Sequence, residues 1–113
     1  MTVALIILHA APEAENPRAD TAVRLAGAML AEGKDVRLFL AGPGVRLLFP
    51  SSSATESTQA LFRELLELGL TVQCCGSSLK SQGMDHDLPQ GVTKSSMKGL
   101  SGWISEADEV ACF

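Results

Sequence analysis

Residues 69–83 read GLTVQCCGSSLKSQG, and this stretch contains in order a helix end, a strand, a tight turn and a new helix start. Gly69 stops the preceding helix, and the residues from 71 to 75 predict a strand. The Gly and Ser residues that follow predict a turn into a short helix. A thiol at such a junction lies beside the free N–H groups of a helix start, which favour the thiolate.

The same alternation of strands and helices continues in both directions. Short apolar runs predict strands covered on both faces, at residues 3–8, 36–40, 71–75, 92–94 and 109–113. Helical spacing predicts helices at about residues 17–33, 53–68, 77–82 and 97–107, with a short helical turn at 45–49. The predicted helix caps are Asn16, Ser53 with Glu56 in a capping box, and Ser96. One α/β domain over residues 1–113, with a parallel sheet and helices on both faces, follows from this order.

Composition excludes several classes of function. The 113 residues carry 13 acidic and 9 basic side chains without a basic cluster, so no nucleic-acid partner is expected. No apolar segment is long enough to cross a membrane, and the first apolar run has no positive flank typical of a signal peptide. Three cysteines, two of them adjacent, are not a disulfide framework, so we expect free thiols in the cytoplasm.

Three features follow predicted strands at their carboxyl ends: His9, the turn from Gly42 to Gly44, and Cys75. Parallel α/β folds bind ligands at this edge, so we expect these residues to converge there. Cys75 is either a nucleophile or a small apolar residue that closes a buried strand. His9 is either a base for a thiol or a structural histidine. Cys74 points to the other face of the strand and is expected in the core, and Cys112 is expected to be structural.

Other chemistry-bearing residues give weaker signals. Lys80 either adds positive potential near Cys75 or is simply solvated. Asp85, His86 and Asp87 are consecutive and cannot all turn toward one ion, so they predict a solvated loop and no metal site. The turn at Gly42 lacks the Gly-Lys-Ser/Thr of a phosphate loop, and no cofactor is expected.

The segment CGSSLKSQG at 75–83 and the chain ending ADEVACF at 107–113 resemble the DsrE/DsrF-like sulfur-relay family. Further residues that carry the resemblance, in matching order and spacing, are Asp87-Leu88, Gly91-Val92, Ser96-Met97 and Trp103. The resemblance covers the whole chain. It implies a three-layer α/β/α fold with a five-stranded parallel sheet, and assembly as homotrimers or homohexamers.

The resemblance also implies that Cys75 accepts sulfur as a persulfide and passes it to an acceptor. The partners would be sulfur donor and acceptor proteins or small thiols. The residues that would support Cys75 or line its pocket are Cys74, Gly76, Ser77, Ser78, Lys80, Gly83, His9 and Gly42. Many relatives have a second cysteine where this chain has Ser78, and an arginine where it has Gln82. A carrier with a single thiol is therefore the form of this activity that the sequence allows.

Two other functions remain open at this stage. The chain could be a non-catalytic, oligomeric binding module of the same fold, in which Cys75 is structural. It could also be a redox sensor that joins Cys74 to Cys75, although a disulfide between neighbours is strained. Leucines on the helix at 61–68 form a second apolar stripe that is either extra core or a subunit contact.

Overall fold

The structure, a computed structural model, describes residues 1–13, 15–49, 56–85 and 88–113. The predicted alternation of strands and helices is present throughout. In chain order the elements are β1 (Val3–Leu8), α1 (Arg18–Ala31), β2 (Asp35–Leu40), a 3-10 helix (Gly42–Leu48), α2 (Glu56–Glu67), β3 (Thr71–Cys75), α3 (Gly76–Ser81), β4 (Val92–Ser95), α4 (Met97–Glu106) and β5 (Glu109–Cys112).

The five strands form one parallel sheet in the order β4-β3-β2-β1-β5. The chain steps from β1 to β4 in one direction and then crosses back to place β5 beside β1. Right-handed crossovers therefore place the first three connections on one face of the sheet and α4 on the other. The predicted α/β fold, with helices on both faces of a five-stranded parallel sheet, is confirmed.

The two faces of the sheet differ in how they are covered. On the first, which we call the α1 face, buried side chains of β1, β2 and β3 pack against α1, α2, α3 and the 3-10 helix. On the second, the α4 face, the smaller cluster of Leu5, Phe39, Ala41, Cys75 and Leu100 packs beneath α4. Trp103 of α4 meets the Phe39 ring edge-on at 6.3 Å between centroids. Among the described residues, α4 is thus the one helix that covers the face on which Cys75 lies.

Most element boundaries depart from the predictions by one or two residues, but the 3-10 helix begins at Gly42, three residues before the helical turn predicted at 45–49. Pro17 is the N-cap of α1, and Asn16 accepts a 3.2 Å hydrogen bond from the Arg18 N–H. Ser96 caps α4 as predicted, accepting a hydrogen bond from the Gly99 N–H. The predicted capping box at Ser53 lies outside the described residues.

The apolar side chains of the leucine-rich helix α2 face the core. Phe62 and Leu65 are buried, and Leu61 and Leu66 pack against the same cluster. Only Leu68, just beyond the helix, is strongly exposed among these residues, at 65%. The second leucine stripe therefore belongs mainly to the core and not to a subunit contact.

Candidate functional site

Cys75 lies where β3 changes into α3. It is the last residue of β3 and the N-cap of α3, with extended backbone angles of φ −75° and ψ 121°. Its side chain is on the α4 face, and 5% of the residue remains accessible to solvent. Cys74 lies on the α1 face and is fully buried, as the alternation of side chains along a strand predicts.

The surroundings of Cys75 stabilise its thiolate. Burial alone would raise the pKa of the Cys75 thiol. Hydrogen bonds from the Ser78 hydroxyl, from the Ser78 and Ser77 N–H groups and from the Ser77 hydroxyl outweigh that effect, so the pKa lies below its ordinary value of 9.0. The thiolate is the nucleophilic form of cysteine, so this position favours reaction over inert packing.

Ser78 connects Cys75 to the start of the 3-10 helix. Its hydroxyl oxygen accepts a 2.7 Å hydrogen bond from the Gly42 N–H. Gly42 has a φ of +53°, and a Cβ placed on it would lie 2.5 Å from His9 Nε2. The backbone angle favours glycine here, and the imidazole packed against it would have to shift to admit a side chain. The structure thus brings together His9, Gly42, Ser78 and Cys75 at the carboxyl edge of the sheet.

Cys74 has the opposite electrostatic character. Burial raises the pKa of its thiol, and the positive charge of Lys94 offsets only part of this effect. Lys94 forms an ion pair with Asp85 at 2.8 Å between Nζ and Oδ1. The Cys74 sulfur lies 3.8 Å from the carbonyl oxygen of Thr93 on the neighbouring strand. Cys74 therefore remains a protonated core thiol at neutral pH, while its neighbour is activated.

Gln82, where the resemblance implies an arginine in many relatives, contacts an arginine from another element. Arg46, in the 3-10 helix, donates a 2.8 Å hydrogen bond from Nε to Oε1 of Gln82. Sequence reasoning missed this pair because the two residues are 36 positions apart. Lys80 is exposed on α3, and Gly83 ends that helix with a φ of +67°. Gly76 packs against the Lys94 side chain, since a Cβ there would lie 3.2 Å from its Cδ.

Polar side chains of β3 and β4 lie beneath the start of α4. Gln73, two residues before Cys75 on the same face, has a buried Oε1 without a hydrogen-bond partner among the described residues. A Cβ placed on Gly99 would lie 2.2 Å from Ser95 Oγ and 3.9 Å from that Gln73 oxygen. Ser95 is the β4 neighbour of Cys75 in the ladder. The polar side chains of Ser95 and Gln73 therefore lie between the Cys75 thiol and the start of α4.

Metal and membrane sites were also sought. Among the described residues, no three His, Cys, Asp or Glu side chains are grouped closely enough to hold a metal ion. His86 and Asp87 of the predicted solvated loop lie outside the described residues, whereas Asp85 belongs to the ion pair with Lys94. In the part of the chain that the structure describes, no helix combines the length and hydropathy needed to span a bilayer.

A cleft of about 550 Å³ opens at the other edge of the sheet. It is lined by Arg63, Leu66, Glu67, Pro89, Gln90 and Gly91. These residues lie at the end of α2 and just before β4, at the amino ends of the strands. The cleft is therefore separate from Cys75, which lies at a carboxyl end.

The fold and the site together define a class of small parallel α/β proteins with an activated thiol at a strand-to-helix junction. The chain belongs to the DsrE/DsrF-like family, whose model matches residues 2–113. It is 32% identical over 114 residues to the uncharacterized protein MK0008 of Methanopyrus kandleri, covering 98% of this chain and 93% of that protein. It is also 32% identical over 111 residues to the uncharacterized protein MJ0989 of Methanocaldococcus jannaschii, with 96% of each chain covered.

Solved structures show the same fold. The crystal structure of the ychN protein from E. coli superposes with a TM-score of 0.87 over the whole of both chains, at 24% identity. A conserved protein of unknown function, BT1422 from Bacteroides thetaiotaomicron, superposes with a TM-score of 0.70 at 18% identity, covering 97% of this chain and 94% of that one. At these identities the likeness extends to the fold alone.

Proposed function

We propose that this protein is a sulfur carrier in which Cys75 holds sulfane sulfur as a persulfide. The observation that carries the proposal is the cluster of hydrogen-bond donors around the Cys75 sulfur, which lowers the pKa of its thiol. Membership of the DsrE/DsrF-like family supports a sulfur-relay type of fold. The partners would be sulfur donor and acceptor proteins or small thiols.

The chemistry needs one thiolate and no cofactor. The Cys75 thiolate attacks the outer sulfur of a donor persulfide, R–S–SH, forming a new S–S bond. The donor's own S–S bond breaks, and the donor leaves as the thiolate R–S⁻ with the electron pair. The protein then carries Cys75–S–SH, and an acceptor thiolate removes the outer sulfur by the same displacement in reverse.

Each part of the site has a role in this scheme. The N–H groups of Ser77 and Ser78 and their hydroxyls stabilise negative charge on the Cys75 sulfur before and after transfer. Ser78 stands where a resolving thiol would otherwise be, so no internal disulfide expels the bound sulfur. Cys74 contributes packing, since it is fully buried with a raised pKa.

The direct test is the mass of the intact protein after exposure to a persulfide donor. The wild type is expected to gain the mass of one sulfur atom, and reduction with dithiothreitol should remove it. The Cys75→Ser variant should gain none, while Cys112→Ser, which removes an exposed thiol on β5, should behave as the wild type. Equal gain by Cys75→Ser would show that another thiol carries the sulfur.

We also propose that the protein works as a homotrimer or homohexamer in the cytoplasm. Its three cysteines are unpaired, in keeping with a reducing compartment. Met97 and Ile104 on α4 and Val110 on β5 are exposed apolar side chains around the thinly covered α4 face. Light scattering should give a mass of three or six chains, and Ile104→Lys should lower it. A monomeric wild type would contradict the proposed assembly.

A further inference from the structure

We infer that His9 binds the anionic end of a sulfur donor whose sulfane sulfur is attached to an oxyacid group, as in thiosulfate. This inference rests on the proposed function of Cys75. It assigns to His9 the role of a substrate-binding residue that selects the donor.

The register of the sheet places His9 and Cys75 at the same edge. Leu8 of β1 pairs with Leu40 of β2, and Leu40 pairs with Cys74 of β3. One position further along the chain from these residues, His9, Ala41 and Cys75 are therefore neighbours in that order across the sheet. Ile7 packs with the cluster on the α4 face, so the alternation of side chains places His9 on the same face as Ala41 and Cys75. Two strand spacings place the Cα atoms of His9 and Cys75 about 10 Å apart.

The residue between them is small. Ala41 contributes only a methyl group, so no long side chain of the loop after β2 stands between the imidazole and the thiol. His9 is exposed there, while its ring packs against Gly42. The Gly42 N–H donates a hydrogen bond to Ser78, and Ser78 donates hydrogen bonds to the Cys75 sulfur. The distance between the imidazole and the thiol is therefore set by these contacts through Gly42 and Ser78.

A short anionic donor is long enough to contact both groups. The reacting sulfur atoms approach to about 3.5 Å, an S–S bond spans about 2 Å, and a hydrogen bond from an imidazole N–H to an oxygen spans about 3 Å. The Cys75 thiolate attacks the outer sulfur of thiosulfate and forms the new S–S bond. The S–S bond of thiosulfate breaks, and sulfite leaves with the electron pair. His9 hydrogen-bonds to the oxygens on which that negative charge remains.

The test compares two donors on three proteins: wild type, His9→Leu and Lys98→Gln. The donors are thiosulfate and the persulfide of 2-mercaptoethanol, which carries no oxyacid group, and the readout is the rate of sulfur loading by intact mass. His9→Leu is expected to slow loading from thiosulfate about tenfold more than loading from the persulfide. Lys98→Gln, which removes an exposed cation at the start of α4, should match the wild type with both donors.

The outcomes separate this inference from the proposed function. An equal loss with both donors in His9→Leu, or the same loss of thiosulfate loading in Lys98→Gln, would overturn the role of His9 and leave the carrier intact. If the wild type takes sulfur from the persulfide but not from thiosulfate, the role of His9 is likewise overturned and the carrier function stands. A wild type that takes sulfur from neither donor would overturn both. Alkylation of Cys75 at the wild-type rate in His9→Leu verifies that the variant retains the site.

Discussion

The N–H of Gly42 lies 2.7 Å from the hydroxyl oxygen of Ser78, and this contact joins the loop after β2 to the helix that begins at Cys75. The hydroxyl has a single proton. Because its oxygen accepts from Gly42, that proton is available to the Cys75 sulfur, whose pKa it helps to lower. One serine therefore both fixes α3 against the 3-10 helix and supports the thiolate.

Removing the Ser78 hydroxyl should weaken that support. In Ser78→Ala the pKa of Cys75 is expected to rise, because the thiolate loses a donor while its burial is unchanged. Alkylation of Cys75 by iodoacetamide at neutral pH should be about tenfold slower, measured as a pH–rate profile in a Cys112→Ser background. Ser81→Ala is the matched control, since its hydroxyl donates a hydrogen bond to the Ser77 carbonyl oxygen and not to the Cys75 sulfur. A wild-type profile for Ser78→Ala would show that the hydroxyl does not act on the thiol.

Replacing Ser78 by cysteine should create an internal disulfide. The Ser78 hydroxyl is within hydrogen-bonding reach of the Cys75 sulfur, so a thiol at that position needs only a small shift to bond to it. On mild oxidation the Ser78→Cys variant should lose the mass of two hydrogen atoms and lose the rapid alkylation of Cys75. Persulfide-loaded Ser78→Cys should also release its sulfur without an added acceptor. Retention of both free thiols under oxidation would contradict the geometry of the site.

Stability should depend on pH in a direction set by Cys75. Its folded-state pKa lies below the ordinary value of 9.0, so the folded state holds the thiolate more strongly than the unfolded chain does. The resulting stabilisation is fully present above pH 9.0 and is lost as the pH falls through the lowered pKa. The free energy of unfolding of the wild type minus that of Cys75→Ser should therefore rise with pH up to about 9.0 and then level off.

Urea titrations in the presence of reductant, at several pH values, measure that difference. Cys74 is common to both proteins, so the effect of burial on its pKa is present in both, and the smaller contribution of the Cys75 charge to that pKa is lost in the variant. A difference that falls as the pH rises would mean that burial outweighs the hydrogen bonds at Cys75.

Two glycines give a matched test of backbone geometry. Gly42→Ala should destabilise the protein by about 1–2 kcal/mol, because its φ of +53° is unfavourable for alanine and its Cβ would strike the His9 ring. Gly102→Ala, within α4 and with no atom from another described element within 4 Å of its Cβ position, should stabilise it by about 0.5–1 kcal/mol. Denaturant unfolding measures both. Equal effects of the two substitutions would contradict the packing of His9 on Gly42.

The strands and most helices could be predicted from the sequence because each is encoded locally. The apolar run of β1, the extent of β3 and the cap at Ser96 depend on neighbouring residues alone. The separate environments of Cys74 and Cys75 also followed from the alternation of side chains along one strand.

The details of the site depend on how distant segments meet. The pairing of β1, β2 and β3 sets both the hydrogen bond from Arg46 to Gln82 and the packing of His9 on Gly42. No local sequence pattern encodes that pairing. The exposed position of Cys112, expected to be structural, follows from the placement of β5 at the edge of the sheet. Only the Gly42-Pro43-Gly44 turn gave an early signal that the β2 loop belongs to the site.

The most direct measurement is the location of the sulfur atom taken up by the protein. After loading with a persulfide donor and alkylation, fragmentation of the peptide that contains residues 74 and 75 distinguishes the two neighbouring thiols. The account predicts one added sulfur per chain, on Cys75, and full loading of a Cys74→Ala variant. Added sulfur on Cys74 or Cys112, or none on any cysteine, would contradict it.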